Sequence, residues 1–356
     1  MKEIFRIRCF DSQSDNPKSK TCPEQSRRIQ NRKLAGIVAI GVTFAMCGAV
    51  AQAQQPKKAP HVGVLSAGFA HLSMTLQAFF QGLRELGYVE GRDVILEQRY
   101  AEAKLDRLPH LAAELVQLKV DVIVTTGSQA TRAAQNATRT IPIVMAVSGD
   151  PVAAGFVASL ARPGGNITGL SNLSEYLSGK RVELLKETIP KLSRASVLLD
   201  PTAIPITPQL RETEAAARGL GLQLQFVEVR APSDFEKAFQ AAKDRKAQAL
   251  VVFPSTLLNN HRTSIANLAV KNKLPAIYAT GESVEAGGLM SYGPSYPEMF
   301  RRAATYVDKI LKGRTPADLP VEQPMRFEFI INLKAAKQIG LTIPPNVLVR
   351  ADKVIR

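Results

Sequence analysis

The stretch VIVTTGS, Val122–Ser128, indicates the fold more directly than any other part of the chain. Its apolar residues are continuous rather than alternating, which is typical of a parallel strand buried on both faces. Two threonines, a glycine and a serine follow, and the serine begins a helical pattern. In an open α/β sheet, ligands bind beyond such strand ends. The stretch therefore predicts one βα unit of a doubly wound α/β sheet, with a ligand crevice at its end.

The same alternation extends in both directions from this unit. Candidate strands are Val62–Ser66, Val94–Tyr100, Val122–Thr125, Ile141–Val147 and Ile167–Leu170. Segments with helical apolar spacing lie between them, at Leu72–Leu86, Leu105–Leu118 and Gln129–Ala137. Strands and helices in turn predict a mostly parallel sheet with helices on both faces. We interpret this series as a first Rossmann-like lobe.

A second series with the same rhythm begins near residue 195, after a predicted helix Glu175–Thr188. Its candidate strands are Ser196–Leu199, Leu222–Val229, Ala249–Phe253 and Ala276–Ala279. Its candidate helices are Pro208–Gly219, Ser233–Lys246 and Thr263–Asn272. The repetition predicts a second doubly wound lobe.

The last part of the chain contains more elements than two such sheets need. Predicted strands at Gly287–Tyr292 and Arg326–Ile331 and helices at Tyr296–Gly313 and Leu333–Ile339 fit a chain that crosses between lobes repeatedly and so builds a hinge. We expect a first lobe of residues 58–174 plus 287–320 and a second of 175–286 plus 321–356.

The net charge of +15, from 46 Lys and Arg against 31 Asp and Glu, by itself suggests nucleic-acid binding. Five of these charges belong to residues 1–33, which hold nine basic and four acidic side chains. An uncharged run of 17 residues, Leu34–Val50, and the triplet Ala51-Gln52-Ala53 follow. This order is typical of a secretory signal peptide, here residues 1–53. The remaining charge is spread along the chain, so we expect no nucleic-acid partner.

All three cysteines, Cys9, Cys22 and Cys47, precede the predicted cleavage site after Ala53. Export without disulfides suits a periplasmic protein large enough to be held together by its core. The sequence leaves several alternatives open. The apolar run could be an uncleaved anchor, although 17 residues is short for a membrane span of about 20. Lipidation at Cys47, twin-arginine instead of Sec export, and a later translation start also stay open.

Polar and small residues close the strands of the first lobe. Ser66 and Gly68 follow the first strand, and Asp150 follows the fourth. Thr126, Gly127 and Ser128 follow the third, where a hydroxyl beside free backbone N–H groups at a helix start can bind an anion. We predict a carboxylate cradle there. Each of these residues is also suited to capping a helix, and for Asp150 capping is the preferred interpretation.

The second lobe offers fewer candidates. Ser255 follows one apolar strand, and Glu282 lies just after another, where its carboxylate can pair with an amine, accept a ligand hydroxyl or form a hinge salt bridge. Tyr278 and Tyr292 flank the same region and can wall an aromatic pocket, although Tyr278 is also suited to the core. We include all four as candidate ligand-binding residues.

Catalytic motifs are missing from the sequence. The four histidines, His61, His71, His110 and His261, lack metal-binding spacing. The chain has no G-x-S-x-G elbow, no Walker A loop and no G-x-G-x-x-G. We therefore expect no enzyme, no cofactor and no metal.

Four long blocks resemble the family of ABC-transporter substrate-binding proteins that includes tryptophan- and tyrosine-type binding proteins. They are TTGSQATRAAQNAT (Thr125–Thr138), IPIVMAVSGDPVAAGFVASLARPGGNITGLS (Ile141–Ser171), GGLMSYGPSYPEMFRRAATYVDKILKGRTPADLPVEQP (Gly287–Pro324) and FEFIINLKAAKQIGLTIPPNVLVRADKVI (Phe327–Ile355). The resemblance runs collinearly over about 290 residues, which is essentially the whole predicted mature chain.

The resemblance implies a type I periplasmic binding fold, with two lobes joined by three crossovers and a small-molecule ligand in the cleft. It also implies delivery to a membrane permease and its ATPase, with inner-membrane contact only through the permease. We expect a monomer. Among type I binders of amino acids, it implies Ser66 and Ser128 on the carboxylate side, with Ser255 and Glu282 opposite. The family pattern would place Asp-Asn where this chain has Pro254-Ser255-Thr256, so amino acids and aromatic or other organic acids both stay open as ligands.

Two other functions share the two-lobed core. A lac-repressor-like ligand-responsive regulator would carry a helix-turn-helix before His61, where this chain has the export signal. A ligand-sensing ectodomain would retain the apolar segment as an anchor. We take a solute-binding protein that closes around its ligand as the leading hypothesis.

Overall fold

A five-stranded parallel sheet forms the centre of the first lobe. The computed structural model describes residues 58–69, 74–174, 176–203 and 206–356. The strands are β1 (His61–Ser66), β2 (Ile95–Tyr100), β3 (Val122–Thr126), β4 (Ile143–Ser148) and β5 (Ile167–Ser171), in the order β2-β1-β3-β4-β5. Helices α1 (Met74–Glu85), α2 (Leu108–Gln117) and α3 (Ser128–Ala137) alternate with them. Every residue of β4 and β5 is buried, as the continuous apolar runs predict.

A seven-stranded sheet forms the centre of the second lobe. Its strands are β6 (Arg194–Leu199), β7 (Gln223–Glu228), β8 (Ala249–Val252), β9 (Ala276–Tyr278), β10 (Met290–Pro294), β11 (Phe327–Asn332) and β12 (Lys353–Ile355). The order is β12-β11-β10-β9-β8-β6-β7, and only the β10–β11 pair is antiparallel. The helices that follow α3 in the chain are α4 (Ser178–Thr188), α5 (Thr207–Gly219), α6 (Phe235–Asp244), α7 (Thr256–Asn260), α8 (Arg262–Lys271), α9 (Gly281–Glu285), α10 (Tyr296–Leu311), α11 (Leu333–Ile339) and α12 (Pro345–Leu348).

The two sheets repeat one strand order. Read from β7, the second sheet runs β7-β6-β8-β9-β10, which matches β2-β1-β3-β4-β5 position by position. In this order the chain reverses direction across the sheet between its first and third strands, and ligands bind at that switch point. Each lobe therefore places its crevice at the carboxyl end of the same pair of strands. The two-lobed doubly wound α/β fold predicted from the sequence is confirmed.

Helix α10 is a first-lobe element, although it follows a second-lobe strand. Its buried face, which includes Phe300, Ala304 and Val307, packs on α1 and on β4. Gly82 of α1 permits close contact, because a Cβ atom there would lie 2.8 Å from the carbonyl oxygen of Arg301. The chain thus returns to the first lobe to complete its core.

The chain crosses between the sheets three times. Among the described residues, the crossovers are 172–174 with 176 and 177 after β5, Ser295 after β10, and 323–326 before β11. Two boundaries differ from our expectation. Residues 321 and 322 were expected in the second lobe, but Val321 is buried in a first-lobe core and Glu322 bridges to Leu170. Residues 287–294 were expected in the first lobe, but β10 pairs with β9 and β11 of the second sheet. The reason is that Met290 joins the second-lobe core, so we propose Ser295 as the boundary.

The predicted signal peptide, residues 1–53, and His71 lie outside the described residues. Among the described helices, none combines the length and the apolar character that a membrane span requires.

Candidate functional site

A cavity of about 390 Å³ lies where the carboxyl ends of the two sheets meet. Loops after β1, β3 and β4 form its first-lobe wall, and loops after β6, β8 and β9 form its second-lobe wall. This is the switch point of each sheet, where ligands bind in open α/β folds. Its volume falls within the range of about 300–1,000 Å³ that is usual for small-molecule sites.

Seven of the ten residues predicted from the sequence line this cavity. They come from both lobes, as a cleft-bound ligand requires. They are Ser66, Gly68, Thr126, Gly127, Ser128, Ser255 and Glu282.

The hydroxyl of Ser66 is held so that it can donate to a ligand. Its Oγ accepts hydrogen bonds from Thr126 Oγ1 at 2.9 Å and from the backbone N–H of Gly68 at 3.1 Å. A serine hydroxyl has one proton and two acceptor positions. With both acceptor positions occupied, the proton of Ser66 is free for a ligand oxygen.

The N-terminus of α3 also faces the cavity with unused donors. Helix α3 begins at Ser128, and Gly127 before it has a φ of +92°, a left-handed conformation that favours glycine. No side chain caps this end, and the first N–H groups of a helix have no partner within it. Gly127 and Ser128 border the cavity. Together with Ser66, these groups form a site for a carboxylate.

Two hydrogen bonds join the lobes at the cavity. Thr256 Oγ1, at the start of α7, donates to Gln129 Oε1 of α3 at 2.7 Å. Asn260 Nδ2 donates to the carbonyl of Ala67, after β1, at 3.4 Å. Ser255 keeps α7 in position, since its Oγ accepts from the N–H of Leu258 at 3.1 Å. The structure therefore has the two lobes in contact across the cleft.

Glu282 brings a buried acid to the second-lobe wall. The residue borders the cavity, and its Oε1 atom, which solvent does not reach, has no hydrogen-bond partner. Burial raises the pKa of this carboxyl, and the nearby Glu285 and Glu328 raise the pKa further, while Arg262 opposes them. A buried polar atom without a partner is costly. A ligand that donates a hydrogen bond, above all a cationic one, would satisfy it.

The remaining first-lobe wall is apolar and aromatic. Phe69, Val147, Tyr296 and Phe300 line it, and Phe300 is also part of the core against α1. Aromatic faces of this kind suit a flat or apolar ligand group. The cavity thus combines an anion site, an unsatisfied acid and an aromatic surface.

The aromatic residues and several polar ones were missed in the sequence. Further polar residues that line the cavity include Thr75, Gln129, Asn172, Gln209, Asn259, Asn260, Arg262 and Thr263. Most of them lie inside helices or crossovers rather than at strand ends. The adjacent residues Asn259 and Asn260, soon after Ser255, could have indicated further ligand-binding residues. Two amide side chains in a helix of five residues are unusual on a packed surface.

Tyr278 and Tyr292 do not reach the cavity, which corrects the prediction for both. Tyr278 is 2% exposed and belongs to the core between the sheet and α6 and α8. Burial raises the pKa of its phenol above its ordinary range. Tyr292 packs against the other second-lobe core, and its ring lies 6.1 Å from that of Phe327. Side chains of a strand alternate between faces, so proximity to Glu282 in sequence did not fix their direction.

Asp150 does not line the cavity and has the structural role that was its preferred interpretation. Its Oδ1 accepts from the N–H groups of Val152 and Ala153, each at 2.9 Å. Its Oδ2 accepts from the hydroxyl of Tyr176 at 2.6 Å. The carboxylate therefore holds a turn and the first crossover.

The arrangement is one for binding a small molecule. Its polar groups converge from two separate lobes, and its donors and its acid lie on opposite walls. In the described part of the chain, no group of three or more His, Cys, Asp or Glu side chains is placed to hold a metal ion.

The sequence matches a known family over most of its length. Residues 68–355 match the family described as ABC transporter substrate binding protein. The chain belongs to this family of substrate-binding proteins, and its fold is of the type I periplasmic binding class.

Individual relatives agree with this assignment. A curated tyrosine-binding protein of Clostridioides difficile (strain R20291) is 27% identical over 287 residues, which are 80% of this chain and 82% of the relative. Two crystal structures are similar. In each comparison the match covers 83% of this chain and 100% of the chain in the crystal structure. One is a conserved domain protein of Vibrio cholerae, with 30% identity and a TM-score of 0.79. The other is an ABC domain from Streptococcus pneumonia in complex with L-Trp, with 26% identity and a TM-score of 0.77.

Proposed function

We propose that this protein is the periplasmic solute-binding component of an ABC importer and that it carries an amino acid with a large apolar or aromatic side chain. The observation that carries the proposal is the opposition of two groups across one cavity. Unused donors at Ser66 and at the start of α3 line the first-lobe wall, and the second-lobe wall holds Glu282, whose buried Oε1 atom has no hydrogen-bond partner. An α-amino acid presents a carboxylate and an ammonium group a short distance apart, which suits these walls.

The side chain of such a ligand would lie against Phe69, Tyr296 and Phe300. A cavity of about 390 Å³ has room for an aromatic amino acid within it. The relatives that bind tyrosine and L-Trp support the same ligand class. Of the alternatives left by the sequence, we favour an amino acid over a plain organic acid, because an acid without an amine would leave Glu282 Oε1 without a hydrogen-bond donor.

The mechanism is closure of two lobes on the ligand. The carboxylate would be held by the first lobe and the ammonium group by the second, so both ends are bound only when the lobes meet. A ligand shifts such an equilibrium by the difference between its contacts in the two states. The closed form then offers a surface composed of both lobes to a permease, whose ATPase drives uptake.

Calorimetric titration of the purified mature chain tests the ligand class. We expect binding of L-tryptophan or L-tyrosine. We also expect that removing either charged group, as in indole-3-propionate or tryptamine, weakens binding at least tenfold. Equal binding of indole-3-propionate and L-tryptophan would show that Glu282 does not hold an ammonium group.

The location is tested separately from the ligand. The predicted signal peptide implies that a periplasmic extract contains a chain that begins at Gln54. Sequencing of the N-terminus measures this directly. A chain that keeps residues 1–53 and stays in the membrane fraction would instead support the anchored form, and one that keeps them in the cytoplasm would contradict export.

A further inference from the structure

The first crossover contains a strained residue. Leu173 has a φ of +52°, in the left-handed region that non-glycine residues rarely adopt. Three of the other non-glycine residues with such a φ, Lys119, Lys246 and Lys273, lie just after the ends of helices α2, α6 and α8. A left-handed residue is common at that position. Leu173 follows a strand and leads into the second lobe, so its conformation has no such local cause.

The residue before Leu173 is fixed to the first lobe. The N–H of Asn172 donates to the carbonyl of Ser148 at 2.8 Å. Its side-chain Nδ2 donates to the hydroxyl of Tyr296 at 3.1 Å. Asn172 is buried, and these bonds extend the edge of the first sheet up to this residue.

The residue after Leu173 is fixed to the second lobe by Arg181 of α4. The guanidinium of Arg181 is fully buried. Its Nη1 donates to the carbonyl of Ser174 at 3.0 Å, and its Nη2 bonds Ser174 Oγ at 2.7 Å. Its Nε donates to the carbonyl of Tyr292, in the middle of β10, at 2.8 Å. One side chain thus ties the first crossover to strand β10 in the body of the second lobe.

Leu173 is therefore the single residue between Asn172, which is bonded to the first lobe, and Ser174, which is bonded to the second. The bond between Asn172 and Tyr296 lies at the cavity. Asn172 Oδ1 accepts from the N–H of Ser174 at 3.0 Å, a bond that spans Leu173 and holds its left-handed turn. Asn172 and Tyr296 both line the cavity. A ligand that contacts this pair acts on the bond that maintains the strain.

We propose that Leu173 is the pivot of lobe closure and that its left-handed conformation belongs to the closed form. In this proposal, which rests on the closing mechanism proposed above, opening rotates the backbone of Leu173 into an ordinary region and relieves the strain. The strained pivot works against closure in the empty protein. Asn172 is a positioning residue that couples occupancy of the cavity to the pivot.

Relief of the strain at this one position tests the pivot. Leu173→Gly removes the penalty of a left-handed residue, and Leu173→Asn reduces it, because asparagine tolerates this conformation better than leucine does. Lys119→Gly is a matched control: Lys119 has a φ of +53° but lies on the surface after α2, away from every crossover.

Closure can be followed in the empty protein by fluorescence energy transfer. Exposed Lys104 and Ser233 follow β2 and β7, at the sheet edges away from the crossovers. The chain after residue 53 has no cysteine, so Lys104→Cys and Ser233→Cys give two specific labelling positions. Affinity for L-tryptophan or L-tyrosine is measured in parallel.

We expect Leu173→Gly to raise the closed fraction without ligand and to tighten binding by about fivefold or more, with Leu173→Asn between it and the parent. Lys119→Gly should change neither quantity. If Leu173→Gly and Lys119→Gly behave alike in both measurements, Leu173 is not the pivot. If the parent binds neither amino acid, the proposed ligand class fails, while the energy transfer of the empty variants still decides the pivot.

Discussion

Thr256 and Gln129 form a hydrogen bond of 2.7 Å between side chains that belong to different lobes. Both residues line the cavity, and each lies in the first turn of a helix that follows a strand of its own sheet. The bond exists only while the lobes are in contact. It therefore contributes to the closed form and not to the fold of either lobe.

Replacing Thr256 by valine should weaken ligand binding without unfolding the protein. Valine keeps the branched shape and removes the donor, and a hydrogen bond of this kind contributes about 0.5–1.5 kcal/mol. The expected loss in affinity is therefore about two- to tenfold by calorimetry. A double-mutant cycle with Gln129→Met should show that the two effects are coupled. Thr305→Val, which removes a bond within α10, is the control and should leave affinity unchanged.

Glu282→Gln should reduce the affinity for an amino acid by at least tenfold. A neutral amide cannot balance an ammonium group in a buried site, and charge-assisted bonds are about twice as strong as neutral ones. Glu285→Gln is the matched control, because Glu285 lies on the same short helix and at the same cavity but pairs with Lys353 at 2.8 Å. Equal losses in the two variants, or no loss in either, would argue against Glu282 as the ammonium acceptor.

The stability of the empty protein should depend on pH through Glu282. Burial raises the pKa of this carboxyl above its ordinary value of 4.5. The folded state then binds its proton more tightly than the unfolded state, so stability falls as pH rises from 4.5 through the folded pKa. Urea unfolding across this range should show that Glu282→Gln gains stability relative to the parent as pH increases. A constant difference between the two proteins would contradict the raised pKa.

Gly82→Ala should destabilise the first lobe. Its new Cβ would lie 2.8 Å from the carbonyl of Arg301, so α1 and α10 would have to separate, at a cost of about 1–3 kcal/mol. Gly219→Ala, at the end of α5, meets no atom within 4 Å and should be neutral or stabilising by up to about 1 kcal/mol. Urea denaturation of both variants measures the contrast, and similar free energies of unfolding would show that the helices can adjust.

The fold could be predicted from the sequence because its strands are continuous apolar runs. The predicted strand Val62–Ser66 differs from β1 by one residue, and Val122–Thr125 differs from β3 by one. The lobe that receives β10 could not be predicted, since the pattern of Met290–Pro294 specifies a strand but not its neighbours. Pairing is decided by contacts with β9 and β11, which are distant in sequence from one another.

The candidate site could be predicted where it follows strand ends and not elsewhere. Ser66, Thr126 and Glu282 lie at or just after strand ends, where the topology requires a crevice, so their position follows from the strand pattern alone. Tyr296 and Phe300 reach the same cavity only because α10 returns to the first lobe after a second-lobe strand. That return depends on the packing of whole lobes, which no local pattern encodes.

The repeated strand order has a consequence for how such a protein can change its cargo. Each lobe presents an equivalent crevice, and in the proposed binding mode each crevice would hold a different end of the ligand. Specificity for the charged groups and for the side chain is therefore divided among separately folded surfaces. Under the proposed binding mode, substitutions on one wall would alter which molecule is accepted while the opposite wall and the crossovers stay as they were, so a different ligand could be accommodated one half-site at a time.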